Sequence, residues 1–256
     1  MPKPRIVLYD LETSHNLAAV FQLKQQDNYI PYDNIIQERY IICASWKVLE
    51  EKTIHAVSVL DDPKRFAKHP HDDFHVCTVL HRVLSESDVI VAHNGDQFDQ
   101  KFVAARFLIH GLDPLPPITS IDTLTVARSR FLFNASHLDY LGNILKVGRK
   151  KPTTGGLWLR VLKGDASAVR EMVKYNKQDV ALLERVFLKL RPYMANHVNR
   201  ELYGAQGCPR CGSHRVQARG LHRALSRAYQ RWHCQACGGW YKSVKADPIR
   251  TTTRML

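Results

Sequence analysis

Three short segments hold the residues best suited to chemistry. Asp10 and Glu12 close the apolar run Arg5–Tyr9, the hexapeptide NGDQFD spans residues 94–99, and Tyr175 and Asp179 lie four apart in a helical stretch. On a strand, Asp10 and Glu12 project from the same face and can meet one cation. On a helix, Tyr175 and Asp179 stand one turn apart on one face. With Asp99 these supply four carboxylates and a phenol. Clustered carboxylates repel one another, so without a cation their pKa values rise. A hard oxygen set without a nearby imidazole suits Mg²⁺ or Mn²⁺ better than Zn²⁺. Ions held this way activate water and balance phosphate charge, which is the chemistry of phosphodiester hydrolysis. Each motif alone has a plainer reading: surface acids for D-x-E, and a packed ring beside a solvated carboxylate for the Tyr/Asp pair. Their order and structural setting separate the two.

That setting is an alternation of strands and helices. Residues 5–9, 40–46, 53–60, 88–92 and 118–121 read as strands from their compact apolar runs. Helical spacing covers 73–84, 98–110, 124–130 and 166 to about 195, and Ser136 offers an N-cap for a helix reaching Leu145. Residues 14–39 are polar and mixed and support no assignment, and the basic, Gly/Pro-punctuated segment 148–156 reads as a loop. The class is α/β with a mixed sheet. Asp99 then opens a helix at a strand–helix junction. Asp122 reads as a helix cap, Asp96 as a turn residue, and Cys43 and Cys77 as core thiols.

The segments DLET, HNGDQFD and YNKQD resemble the three exonuclease motifs of the DEDDy branch of 3′–5′ exonucleases. That branch belongs to the DnaQ-like, ribonuclease H-like superfamily, and the resemblance spans roughly residues 4–195. IDTL at 121–124 and HLDYLG at 137–142 are similar to segments between the second and third motifs. The match is strongest to stand-alone ribonuclease H-like exonucleases of bacteria and their phages. The resemblance implies a ribonuclease H-like mixed sheet flanked by helices, and a two-metal mechanism using two Mg²⁺ or Mn²⁺. In it Asp10 bridges both ions, Glu12 and Asp179 complete one site, and Asp99 supports the other. Tyr175 orients the attacking water. Leu11 and Phe98 stand where relatives wedge against the terminal base, and Asn94 braces its loop or touches substrate.

A change in composition at residues 203–207 divides the chain into 1–203 and a C-terminal module, 204–256. Cys208, Cys211, Cys234 and Cys237 form two C-x-x-C-G knuckles that resemble a zinc ribbon holding one structural Zn²⁺. From Cys208 to Leu256 there are ten Lys/Arg against one acid, Asp247, so this module carries most of the net charge of +13. Charge alone leaves a solvated tail and a polyanion-binding surface equally open. Arg219, Arg223, Arg227 and Arg231, interleaved with Tyr229, Trp232, Trp240 and Tyr241, suit nucleic-acid contact, although some rings are needed as core. The loop residues Arg149, Lys150 and Lys151 are further candidates for substrate contact. No apolar stretch reaches the ~18 residues of a membrane span. The start MPKPRIVLYDLET lacks a signal-peptide core, so the expectation is a cytoplasmic protein of a bacterial or phage-infected cell.

The expected activity is 3′–5′ exonuclease action, preferably on single-stranded DNA, with replication or repair proteins as further partners of the ribbon. RNA trimming, or a silent nuclease fold that binds nucleic acid or a polymerase, are the alternatives.

Overall fold

The computed structural model describes residues 3–22, 30–153, 155–194, 197–224 and 227–246. In chain order the strands are β1 (Ile6–Thr13), β2 (Leu17–Ala18), β3 (Ile35–Gln37), β4 (Ile41–Val48), β5 (His55–Ser58), β6 (Val89–Ala92), β7 (Thr119–Asp122), β8 (Val216–Arg223), β9 (Ala228–Cys234) and β10 (Trp240–Lys242). The α-helices are α1 (Pro63–Lys68), α2 (Phe74–Ser85), α3 (Asp99–Ile109), α4 (Thr123–Arg130), α5 (Leu138–Ile144), α6 (Leu157–Leu162) and α7 (Ala166–Leu190).

The main sheet runs β5-β4-β1-β6-β7. β1 is antiparallel to β4 and parallel to β6, and β6 is parallel to β7. The alternation along β1 explains why both faces of this sheet are covered. Val7, Tyr9 and Leu11 enter one apolar cluster with α2, α3 and α6, while Ile6 and Leu8 enter the other with α4 and α5. Asp10 and Glu12 continue the Ile6–Leu8 parity beyond the point where that apolar face ends. The 25-residue α7 packs across β4 and β1, tied to β4 by a Lys47–Glu184 ion pair of 2.5 Å. Its Met172 belongs to the first cluster and its Val180 to the second, so Tyr175, Asn176 and Asp179 occupy the changeover between them.

The expected strands and long helices are present, with informative differences. β1 extends through the acids to Thr13, because Asp10 and Glu12 pair with Ser45 and Cys43 of β4. Helices α1 and α6 lie in segments given no assignment from the sequence, each only six residues long and too short for a clear period. Ser136 does not cap α5: His137 occupies the cap and the helix begins at Leu138, which is buried with Leu141. Asp122 caps α4, accepting from the amides of Leu124 and Thr125. Asp96 sits in the turn after β6 and accepts from Gln100 Nε2 at 2.6 Å and Ser120 Oγ at 2.5 Å. Cys43 and Cys77 are buried free thiols. Within residues 14–39, β2 and β3 pair as a small separate sheet, and 23–29 lie outside the described residues.

Strands β8, β9 and β10 form a three-stranded antiparallel sheet around the cysteine knuckles. Arg200 and Arg210 anchor the first knuckle. Arg200 pairs with Glu50 at 2.7 Å and its amide donates to the Pro209 carbonyl at 2.7 Å. Arg210 donates to the carbonyls of Pro192 and of Met194, the latter at 2.7 Å. No helix among the described residues is long and apolar enough to cross a membrane.

Candidate metal centre and flanking groove

The carboxyl ends of β1, β6 and β7 converge, and α7 closes the crevice they leave. Oxygens of Asp10, Glu12 and Asp179 lie within 4.8 Å of one another. The packing of α7 across β1 and β4 thus brings together two segments almost 170 residues apart. Asp99 is buried at the start of α3 and lies outside that triad, but its charge acts on Asp10 more strongly than that of any other carboxylate. Asp10 is held well above the usual carboxylate range, first by burial and then by Asp99, Glu12 and Asp179. Burial, then Asp179, pushes Glu12 up to about 8. Burial, with Asp122 adding, raises Asp99 to about 7.

Two groups that the sequence did not single out as part of this centre complete it. Lys150 donates to Asp179 Oδ2 at 2.6 Å, stands 3.4 Å from the Tyr175 hydroxyl and lies over the Tyr175 ring at 5.5 Å. Burial opposes its charge, yet Asp179, then Asp10 and Tyr175, together offset this and its pKa rises. The backbone explains its placement: the Lys150 amide donates to Asp139 Oδ1 at 2.7 Å, so α5 pins the basic loop against α7. Arg149 reaches Asp139 at 3.6 Å and Lys151 is exposed, so of the three basic residues only Lys150 enters the centre. Asn176, fully buried, donates to Asp10 Oδ2 at 2.6 Å. Its place beside Tyr175, three residues before Asp179, was the available signal. Lys150 had none, because a loop lysine looks the same wherever it folds.

The donor set fits divalent cations. Asp179 Oδ1 is buried without a hydrogen-bond partner, and one ammonium faces a cluster of four acids. The Tyr175 hydroxyl accepts from Lys150 Nζ, which links it to Asp179, and its ring meets Trp158 edge-on at 6.4 Å.

Beside Glu12 opens a groove of about 520 Å³ lined by Leu11, His15, Arg39, Phe98 and Trp158 among others. That volume suits a nucleotide-sized ligand. The Arg39 guanidinium lies 5.1 Å from both the Phe98 and Phe102 rings and donates to Thr13 Oγ1 at 2.6 Å. Trp158 is fixed by its Nε1–H to the Thr13 carbonyl at 3.2 Å. Leu11 is itself largely buried, and Phe98 stacks on Phe102. Asn94 adopts φ +67°, a left-handed conformation that Asn tolerates, and its amide donates to Asp122 Oδ1 at 2.9 Å. Here Asp122 braces the loop as well as capping α4. Gly95 is required sterically, since a Cβ there would stand 2.4 Å from that of Ala92.

In the C-terminal module the sulfurs of Cys208, Cys211, Cys234 and Cys237 lie within 4.8 Å of one another. The pairs Cys208–Cys237 and Cys211–Cys234 are 3.7 Å apart, close to the edge of a tetrahedron built from ~2.3 Å metal–sulfur bonds. Of the ribbon arginines, Arg231 lies beside Trp240, Arg219 sits in a bulge of β8, Arg223 pairs with Ala228 at a strand end and Arg227 is in the turn.

No curated protein matches this sequence. Among solved structures, the family B DNA polymerase from the hyperthermophilic archaeon Pyrobaculum calidifontis superposes with a TM-score of 0.54 at 15% identity. The overlap covers 81% of this chain and only 26% of the polymerase, and at such identity it is a likeness of fold. A family model of the RNase H superfamily, RNase_H_2, matches residues 40–191. That span takes in Asp99, Tyr175 and Asp179, and β1 adds Asp10 and Glu12 at the sheet's centre. The chain belongs to the RNase H superfamily.

Proposed function

We propose that this protein is a 3′–5′ exonuclease of DEDDy type that hydrolyses phosphodiester bonds, preferentially in single-stranded DNA. The observation that carries the reading is the meeting of Asp10, Glu12 and Asp179 oxygens within 4.8 Å, with Lys150 joining Tyr175 to Asp179 and the charge of buried Asp99 acting on Asp10. Asp10, Glu12 and Asp179 would hold one Mg²⁺ or Mn²⁺, and Asp99 with Asp10 a second. Such ions lower the pKa of bound water and neutralise charge on the phosphate. The chain's own groups supply the rest. Tyr175 orients water through its hydroxyl, steered by Lys150, which Asp179 holds in place. Asn176 holds the Asp10 carboxylate in one orientation. Leu11, Phe98 and Trp158 offer apolar and aromatic surface for a terminal base, and Arg39 a cation next to it. Residues 1–203 carry this activity, and 204–256 form a basic zinc-ribbon domain with one structural Zn²⁺.

End-labelled DNA and RNA oligonucleotides incubated with Mg²⁺ or Mn²⁺ test the reading, with Asp10→Ala and Asp179→Ala as controls. Stepwise loss of 3′ nucleotides from DNA by the wild type alone is expected. If neither polymer is shortened, or the variants act equally well, the assignment is wrong; faster action on RNA would make the protein an exoribonuclease. Tyr175→Phe should lower turnover by about 10- to 100-fold, the range for groups that orient the reacting centre's partners, with unchanged melting. Wild-type turnover would remove the water-orienting role. Zinc removal by a chelator, or Cys211→Ser, should abolish amide-exchange protection in β8–β10 while sparing the main sheet, since the four thiolates hold a module with little core of its own. Protection that survives in both cases would show the ribbon does not depend on metal.

A further inference from the structure

The ribbon sheet has two chemically different faces. Residues directly opposite in antiparallel strands share a face, as do alternate residues along one strand. Trp232 pairs with Tyr241 and with Ala218, and the Trp232 and Tyr241 rings stack at 6.5 Å. Ala228 and Cys234 have the same parity as Trp232 and are buried. This is the inward face. The reverse parity gives Tyr229, Arg231 and His233 on β9, with Trp240 and Lys242 paired beside them on β10. His233 and Trp240 stack at 4.5 Å, Arg231 lies over the Trp240 ring at 5.2 Å, and Lys242 over the Tyr229 ring at 4.3 Å. Trp240 is still 47% exposed. A half-exposed indole grouped with a second ring and two cations is the combination that tracks a nucleic-acid backbone and stacks its bases.

We propose that this outer face is a base-stacking platform for single-stranded nucleic acid, distinct from the acidic centre. Charge complementarity selects the occupant: residues 204–246 contain eight Lys/Arg and no Asp or Glu. The face offers rings, cations and the Gln217 amide but no aliphatic side chain, which suits bases and phosphates better than the apolar stripe of a partner helix. Its cations lie against the rings, so phosphate can be neutralised next to a base that meets the exposed part of Trp240. The module is anchored through Arg200 to Glu50, two residues beyond Val48, which pairs with Val7, whereas Asp10 pairs with Ser45. At ~3.3 Å per residue the anchorage lies roughly 15 Å along the sheet from the acids. A module anchored there can hold a part of the strand away from a 3′ end in the acidic centre. The choice of nucleic acid as occupant rests in part on the nuclease reading, and binding tests it separately from turnover.

The test uses the full zinc-loaded chain carrying Asp10→Ala, so that the probe is not consumed, and a fluorescent 20-nucleotide oligothymidylate titrated at several salt concentrations. Adding Trp240→Ala should weaken binding by about 5- to 100-fold, the range for loss of one stacked base, while Trp240→Phe keeps most of it. Lys242→Ala should reduce the slope of log affinity against log salt by about one, as a lost phosphate contact does. Zinc content and circular dichroism certify each variant as folded. Affinity and slope unchanged in both Ala variants would overturn the proposal, as would competition by polyglutamate at the same charge concentration as effective as that by unlabelled oligothymidylate. Binding that depends on Trp240 in a protein whose Asp10 form shortens no oligonucleotide would uphold the platform and defeat the nuclease reading.

Discussion

Asp10→Asn should lower the hydrolytic rate by at least about 10³-fold, about 4 kcal/mol of transition-state stabilisation, and at the same time raise the melting temperature of the metal-free protein. Both effects have one cause. Asp10 is half-buried and feels the charges of Asp99, Glu12 and Asp179, so its own charge is unfavourable unless a cation is present. Asparagine keeps an oxygen for Asn176 and removes the charge. The sign with pH follows. These carboxyls titrate higher folded than unfolded, where they lie near 4. The fold therefore prefers them protonated. The penalty is absent below the unfolded values, grows as pH rises from about 4, and is complete above about 7 for Asp99 and about 8 for Glu12. Metal-free protein should melt at a higher temperature at pH 5 than at pH 8, and Mg²⁺ or Mn²⁺ should stabilise it more at pH 8. In Asp10→Asn both differences shrink. Calorimetry across pH 5–8 checks this; a metal-free melting temperature that climbs with pH would remove the repulsion account.

Lys150→Met should cost about 10- to 100-fold in rate, as loss of a group that orients others at a metal centre does. It should also cost about 2 kcal/mol in the metal-free protein, the worth of a hydrogen bond to a charged group. The ammonium is the only cation bonded to Asp179 among the described residues, and its removal leaves a buried carboxylate whose second oxygen already lacks a partner. Divalent ions should recover most of the stability but not the rate, since an ion can replace the charge on Asp179 yet not the steering of the Tyr175 hydroxyl. Lys150→Arg keeps the charge on a wider, planar group and should not restore the rate. Chemical denaturation and turnover, each with and without Mn²⁺, separate the two roles. Turnover and stability like wild type would make Lys150 a bystander.

The two predictions differ in how far their residues were legible. Asp10 and Glu12 could be paired from the sequence because the two-residue period of a strand is a local property, and Tyr175 and Asp179 because one helical turn is equally local. The cysteine knuckles were legible for the same reason. The class of sheet followed from compact apolar runs, which bury wherever they fall. Helices α1 and α6 were missed because six residues hold too little of a period, and Ser136 was misplaced as a cap because burial of Leu138 and Leu141 set the start of α5.

The sequence by itself determined which side chains share a strand face, a helix face or a knuckle, and therefore what chemistry the chain can carry. The tertiary structure alone decided that α7 crosses the sheet where Asp10 and Glu12 emerge, that Lys150 reaches Asp179 across 29 residues, and which ribbon rings face outward. Local periodicity depends on backbone geometry within a few residues. Which loop closes on which carboxylate depends on how two apolar clusters pack against opposite faces of one sheet, and no short segment contains that information.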